Sequence, residues 1–158
     1  ALEVAYTPGH ASHHVSFFCG DAGMAFVGDT AGVRVVSGGF VLPPTPPPDI
    51  DVPAWTRSLG AIERWRPQVL FLTHYGVVDE VSAHLAELRD HLDLSERLAR
   101  AAVAQSGDEG VREAWFVERM REAIRRRTSA ADLEAYEVAG RLDLNWRGIA
   151  RYVTRKGR

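Results

Sequence analysis

Three polar residues in the first half of the chain each close a short apolar run. The run Leu2–Tyr6, followed by Thr7-Pro8-Gly9, leads to His10; Met24–Val27 with Gly28 leads to Asp29; Val69–Leu72 with Thr73 leads to His74. Imidazole and carboxylate are zinc ligands, with bonds of roughly 2.0–2.2 Å. In α/β folds ligands bind beyond the carboxyl ends of strands, so three such strand-end residues can converge on one site. Gly9, Gly28 and Gly76 beside them would let the backbone approach a metal or a substrate. The plainer reading is that each residue makes turn hydrogen bonds at the end of its strand. Three of these types within residues 1–78 favour a site over three unrelated turns.

The elements that must position them differ along the chain. Residues 1–78 hold 6 acidic and 4 basic side chains and all 8 prolines, whereas 79–158 hold 15 and 15. The first segment reads as strands and loops: Leu2–Tyr6, Val15–Cys19, Met24–Val27 and Val69–Leu72, with Gly20-Asp21-Ala22-Gly23 as a hairpin turn. Pro43-Pro44-Thr45-Pro46-Pro47-Pro48 stiffens a loop between Gly38 and Pro53. A helix is expected over 53–65, with Trp55, Leu59 and Ile62 on one face and Pro67 beyond its end. The second segment reads as helical. Val81, Leu85, Leu88 and Leu92 form one stripe, and Ser95 could cap a new helix carrying Leu98. Phe116, Met120 and Ile124 mark another helix. Ser129 and Asn145 are expected caps of the last two, with Gly157 past the end.

Composition limits the function classes. The 158 residues suffice for one globular domain with a core. A net charge of −2 disfavours a broadly basic nucleic-acid binder and an electrostatic membrane binder. The lone Cys19 excludes an internal disulfide framework and is expected as a small core residue. No apolar run approaches the roughly 18 residues of a membrane span, and no signal-peptide pattern opens the chain, so a soluble cytoplasmic protein is expected. The chain starts at Ala1 and its methionines are Met24 and Met120, which suggests a piece of a longer protein.

Three motifs in series resemble those of the metallo-β-lactamase fold superfamily. Thr7-Pro8-Gly9-His10-Ala11-Ser12-His13-His14 is similar to its Thr-Pro-Gly-His-x-x-Gly-His segment. Phe26-Val27-Gly28-Asp29-Thr30 and Leu72-Thr73-His74-Tyr75-Gly76 resemble the next two, in the same order. The resemblance covers about residues 1–78 and implies a dinuclear, usually zinc, hydrolase, with manganese or iron as alternatives. It implies that His10 ligates the first metal, that His74 ligates the second, and that Asp29 bridges both. His14 would orient these ligands by hydrogen bonding. The expected fold is α/β: the C-terminal half of an αββα sandwich over 1–78 and an all-helical extension over 79–158. The extension would cover the sheet or form a homo-oligomer interface.

Two departures stand against the family pattern. His13 replaces the usual glycine, as a tolerated variant, a substrate-facing side chain or an additional ligand. The family's His-x-His-x-Asp-His motif is absent from these residues. It lies upstream in such proteins, so the first half of the domain is expected in the same or another chain. This chain alone is expected to be inactive.

The expected substrate is a small ester, thioester or lactone, as in the glyoxalase II-like branch. Arg34 could bind its anionic group, and Phe40 and Leu42 could supply apolar contacts from the Gly38–Asp51 loop. The rivals are a nuclease of the same fold acting on RNA or DNA, and a non-catalytic assembly module. Arg125-Arg126-Arg127 reads as a solvated helix end, which makes nucleic acid the weaker partner. His84 and His91 are seven residues apart and read as surface histidines. Trp115 and Trp146 lie on apolar stripes and read as core or interface residues.

Overall fold

The computed structural model describes residues 1–74 and 76–156. Tyr75 of the third motif and Gly157 lie outside the described residues. Five strands form one mixed sheet: β1 (Leu2–Tyr6), β2 (Val15–Cys19), β3 (Met24–Phe26), β4 (Val69–Leu72) and β5 (Gly76–Val78), in spatial order 1-2-3-4-5. Neighbours are antiparallel except β3 and β4, which run parallel with Ala25 opposite Leu70. The expected hairpin turn between β2 and β3 is a single 3-10 turn, Gly20–Ala22. The short β5 has no apolar run of its own beyond Val77 and Val78, which is why sequence periodicity misses it.

The pleat gives the sheet two unlike faces. Ser16, Phe18, Ala25, Leu70, Leu72 and Val78 point to the helices and are buried. Leu2, Val4, Tyr6, Val15, Phe17, Phe26 and Val77 point the other way and are exposed. Phe17 lies opposite Phe26 and Val4 opposite Phe17, so these side chains form one continuous apolar surface.

The helices are α1 (Val52–Arg64), α2 (Val81–Val103), α3 (Glu109–Arg125), α4 (Ala130–Gly140) and α5 (Leu142–Lys156). Asp51 caps α1, its carboxylate accepting from the Ala54 N–H at 2.9 Å. Asp108 caps α3 in the same way through the Val111 N–H. Ser129 caps α4 as expected, completing a reciprocal capping box with Asp132. Two expected caps are not caps. Ser95 sits inside the uninterrupted α2, where its hydroxyl donates to the His91 carbonyl one turn back, so a buried polar group is satisfied without ending the helix. Asn145 lies within α5, and its side-chain oxygen accepts from the Thr45 N–H instead of the helix's own first turn.

Residues from both composition segments share one core, from Phe18 and Trp55 to Trp146 and Val153. Trp146 is fully buried and Trp115 is half-buried at its edge. Cys19, expected in the core, is only partly buried at the end of β2. The final helix meets the proline-rich loop at van der Waals distance: a Cβ on Gly148 would overlap the Thr45 carbonyl oxygen and lie 2.6 Å from the Pro46 carbonyl carbon. Backbone on both sides leaves nothing flexible to yield. Gly148→Ala is therefore expected to destabilise the fold by about 3 kcal/mol, the upper range for overpacking. A chemical denaturation curve with the wild-type midpoint would contradict this close packing.

Candidate metal centre

His10 and Asp29 are brought together by α1, through its Trp55. Gly9 has φ +135, and a Cβ there would overlap the Trp55 backbone, so only glycine permits this approach. The fully buried Trp55 ring then packs edge-on to His10 with centroids 5.6 Å apart. Its indole N–H donates to the Thr30 carbonyl at 2.6 Å, fixing the 3-10 turn Gly28–Ala31 that carries Asp29. His74 arrives from the end of β4, the strand paired parallel to β3.

The three side chains meet at the Asp29 carboxylate, each histidine at its own oxygen. His10 Nε2 lies 3.6 Å from Oδ2, and His74 Nε2 lies 3.5 Å from Oδ1. His10 Nδ1 is 2.8 Å from the Pro44 carbonyl, which can only accept. Nδ1 therefore donates to Pro44, and Nε2 is the nitrogen turned towards Asp29. The His10 side chain is 13% exposed and that of His74 45%, so the centre opens on the His74 side.

His14 stands behind this group. Its Nδ1 shares hydrogen bonds with the hydroxyls of Thr30 (2.9 Å) and Thr7 (3.2 Å), and its ring lies edge-on to His10 at 6.2 Å. Burial, then the neighbouring His10, pushes its pKa below the ordinary histidine value. Its hydrogen bonds tie the β1–β2 connection to the Asp29 turn. His13 is exposed on the same connection.

These residues fit a metal-bridging role, although no group of three or more His, Cys, Asp or Glu among the described residues is arranged to hold an ion alone. Asp29 Oδ1 is buried and has no hydrogen bond among the described residues. A buried carboxylate oxygen with no hydrogen bond is rare, and a cation between it and His74 would satisfy it. Two ligand atoms on one tetrahedral zinc stand about 3.4 Å apart, given bonds of roughly 2.1 Å. The separations from Asp29 to His10 and to His74 match that spacing, one on each side of the carboxylate.

Residues 1–74 match the metallo-beta-lactamase superfamily. Over these residues the chain resembles members of that superfamily. It is 36% identical over 89 residues to the metallo-beta-lactamase fold-containing protein ST1585 of Sulfurisphaera tokodaii, covering 55% of this chain and 32% of that protein. It is 30% identical over 105 residues to the atrochrysone carboxyl ACP thioesterase of Aspergillus chevalieri, covering 66% and 31%. Among solved structures, ST1585 superposes with a TM-score of 0.53 at 26% identity, over 94% of this chain and 45% of that one. The metallo-beta-lactamase family protein TTHA1429 of Thermus thermophilus superposes at 0.61 and 20% identity, over 99% and 44%. The mixed α/β fold is thus that of metallo-beta-lactamase structures. The chain spans about a third of the length of these curated relatives.

Other expected site residues lie elsewhere. Phe40 and Leu42 are not pocket contacts: both are buried, Phe40 stacked on His91 at 3.7 Å and Leu42 bridged to Val33 and packed against Gly140. The end of the same loop does line a hollow, where Asp49 and Ile50 face Gly9 and Ser12 beside His10. Arg34 is part-exposed along a shallow hollow with Val77 and Asp79. Arg125 and Arg127 pair with Glu118 and Glu87.

His84 and His91 are not surface histidines. His84 is buried and donates from Nε2 to the Ala31 carbonyl at 2.7 Å, bracing the Asp29 turn from α2. His91 donates from Nδ1 to the Val41 carbonyl at 2.8 Å. Each has its imidazole on the apolar side of an amphipathic helix, which a charge-based reading overlooks. Burial drives the His84 pKa down to about 4 from 6.5, against its bond to Ala31. The native state therefore binds this proton less readily than the unfolded chain. His84's contribution is complete above about pH 6.5 and is lost as the pH falls towards 4, a difference on the order of 3 kcal/mol. Thermal melts should show His84→Gln losing less stability than wild type across that window. Parallel losses would mean that His84 is not the group responsible.

Proposed function

We propose that this chain supplies part of the dinuclear centre of a hydrolase acting on a small ester, thioester or lactone. The observation that carries the reading is the pair of imidazoles on opposite oxygens of one carboxylate. In this reading His10 ligates one ion, His74 the other, and Asp29 both. Zinc suits this nitrogen and oxygen donor set, with manganese or iron as alternatives. Such ions, when bound, supply Lewis acidity towards a carbonyl and lower the pKa of water towards neutrality. The chain's own residues orient and hold. Pro44 fixes the His10 tautomer, His14 and Thr30 brace the ligand-bearing turns, and Trp55 keeps water from one side of His10.

Acyl-ester chemistry is supported by the motif likeness to glyoxalase II-like proteins and by a relative named as a thioesterase. The remaining ligands belong to a segment that packs on the exposed apolar face of the sheet. Seven large apolar side chains lie open there on one face, the kind of contiguous patch that marks an interaction surface. The isolated 158-residue chain should bind a hydrophobic dye strongly and scatter light, whereas the complete protein should do neither. Equal dye binding by both would remove the argument for a covering segment.

In the complete protein, verified metal removal should abolish thioester hydrolysis, and zinc should restore it. Asp29→Asn should lower metal affinity and activity, each by at least the ~100-fold that loss of an outer hydrogen-bond partner alone can cause. Full activity in the metal-free protein would refute the proposed function. Metal binding without hydrolysis of any acyl substrate would favour a binding or assembly module.

A further inference from the structure

The peptide group between Pro44 and Thr45 is held at both of its polar ends. Its carbonyl oxygen, on Pro44, accepts from His10 Nδ1 at 2.8 Å. Its N–H, on Thr45, donates to Asn145 Oδ1 at 2.9 Å. The Thr45 hydroxyl adds a bond of 3.1 Å to the Asn145 backbone carbonyl. One turn along α5, Gly148 presses on the same loop. Thr45 and Asn145 are buried, at 1% and 3% exposure, so water does not compete for these groups. A link of 100 residues in sequence thus ends one peptide away from a ligand of the candidate centre.

A peptide is planar and conjugated. An acceptor at its N–H draws electron density towards its carbonyl oxygen, and hydrogen bonds arranged in such a chain strengthen one another. A better acceptor at Pro44 holds the His10 proton on Nδ1 and leaves a more basic lone pair on Nε2, the nitrogen that faces Asp29. Rotation of the peptide plane would swing the carbonyl away from His10, and Asn145 opposes that rotation.

We propose that Asn145 is a positioning residue for His10, acting through the Pro44–Thr45 peptide to fix the ring's tautomer and strengthen Nε2 as a donor. The effect on metal affinity rests on the proposed ligand role of His10; the effect on the tautomer belongs to the metal-free protein. The Asn145 amide nitrogen is buried and has no hydrogen bond among the described residues. The acceptor oxygen is therefore the part of the side chain that acts, and a carboxylate can replace it.

The complete protein carrying Asn145→Leu or Asn145→Asp tests this. Imidazole nitrogen NMR of the metal-free protein reads the His10 tautomer, and competition with a chelator reads zinc affinity. Asn145→Leu should move His10 towards mixed tautomers and weaken zinc binding about threefold to tenfold, below the range for a direct outer partner. Asn145→Asp, which keeps an acceptor at the Thr45 N–H, should keep the wild-type tautomer and bind zinc no more weakly than wild type. Met120→Ala, a core change in α3 off this path, should lower the melting temperature without moving the His10 nitrogens. A folded Asn145→Leu protein with unchanged His10 signals and zinc affinity would overturn the proposal, as would an equal shift in Met120→Ala. Should the leucine variant not fold, the wild type decides: zinc must shift the Thr45 amide nitrogen, and a stationary signal overturns the proposal. A wild type that binds no zinc while Asn145→Leu still alters the His10 tautomer sinks the metal reading and supports this one.

Discussion

The hydrogen bond from the Trp55 indole to the Thr30 carbonyl is the contact on which the candidate centre depends. It joins α1 to the turn that carries Asp29, while the same ring seats His10 and its backbone excludes any residue but glycine at position 9. Two loops, one bearing His10 and the other Asp29, are thereby referred to one rigid side chain. The opposite side of the turn is closed by His84 on α2. The carboxylate consequently sits on a short 3-10 turn clamped from two helices, and its geometry does not depend on the turn's own weak hydrogen bonding.

The three converging residues were legible in the sequence because each follows an apolar strand run, and strand ends have predictable positions. Four of the five strands were legible for the same reason. β5 was not, since three residues are too few to show a period. The supporting side chains were hidden for a different reason. Trp55, His84 and Asn145 each lie on a helix face, where pattern reads them as packing, surface or cap residues. Their partners are backbone carbonyls and amides remote in sequence, which carry no residue-type signal. Phe40 and Leu42 misled because a loop leading into a helix normally runs over the surface; here α2 and α4 cover it, with Tyr136 donating to the Phe40 carbonyl at 2.5 Å.

The change in composition near residue 78 separates two kinds of structure, yet the helices do not form a free-standing layer. α2 braces the Asp29 turn, α4 secures the loop after it, and α5 grips the prolines that face His10. The strand ends carry His10, Asp29 and His74, and the helices brace the loops around them. One side of the sheet is thus covered by the helices of this chain, and the other offers an exposed apolar surface.

The bond between Thr45 and Asn145 also orders events in time. Contacts between segments distant in sequence form late, because closing a long loop costs entropy before the contact returns any stability. As ribosomal synthesis proceeds from the amino end, His10, Asp29 and His74 are all made well before α5. The loop that orients His10 must then wait, unpinned, for α5 to arrive. Until α5 has been made, the Pro44 carbonyl has no such anchor one peptide away, and the partner of His10 Nδ1 is held only by its own loop.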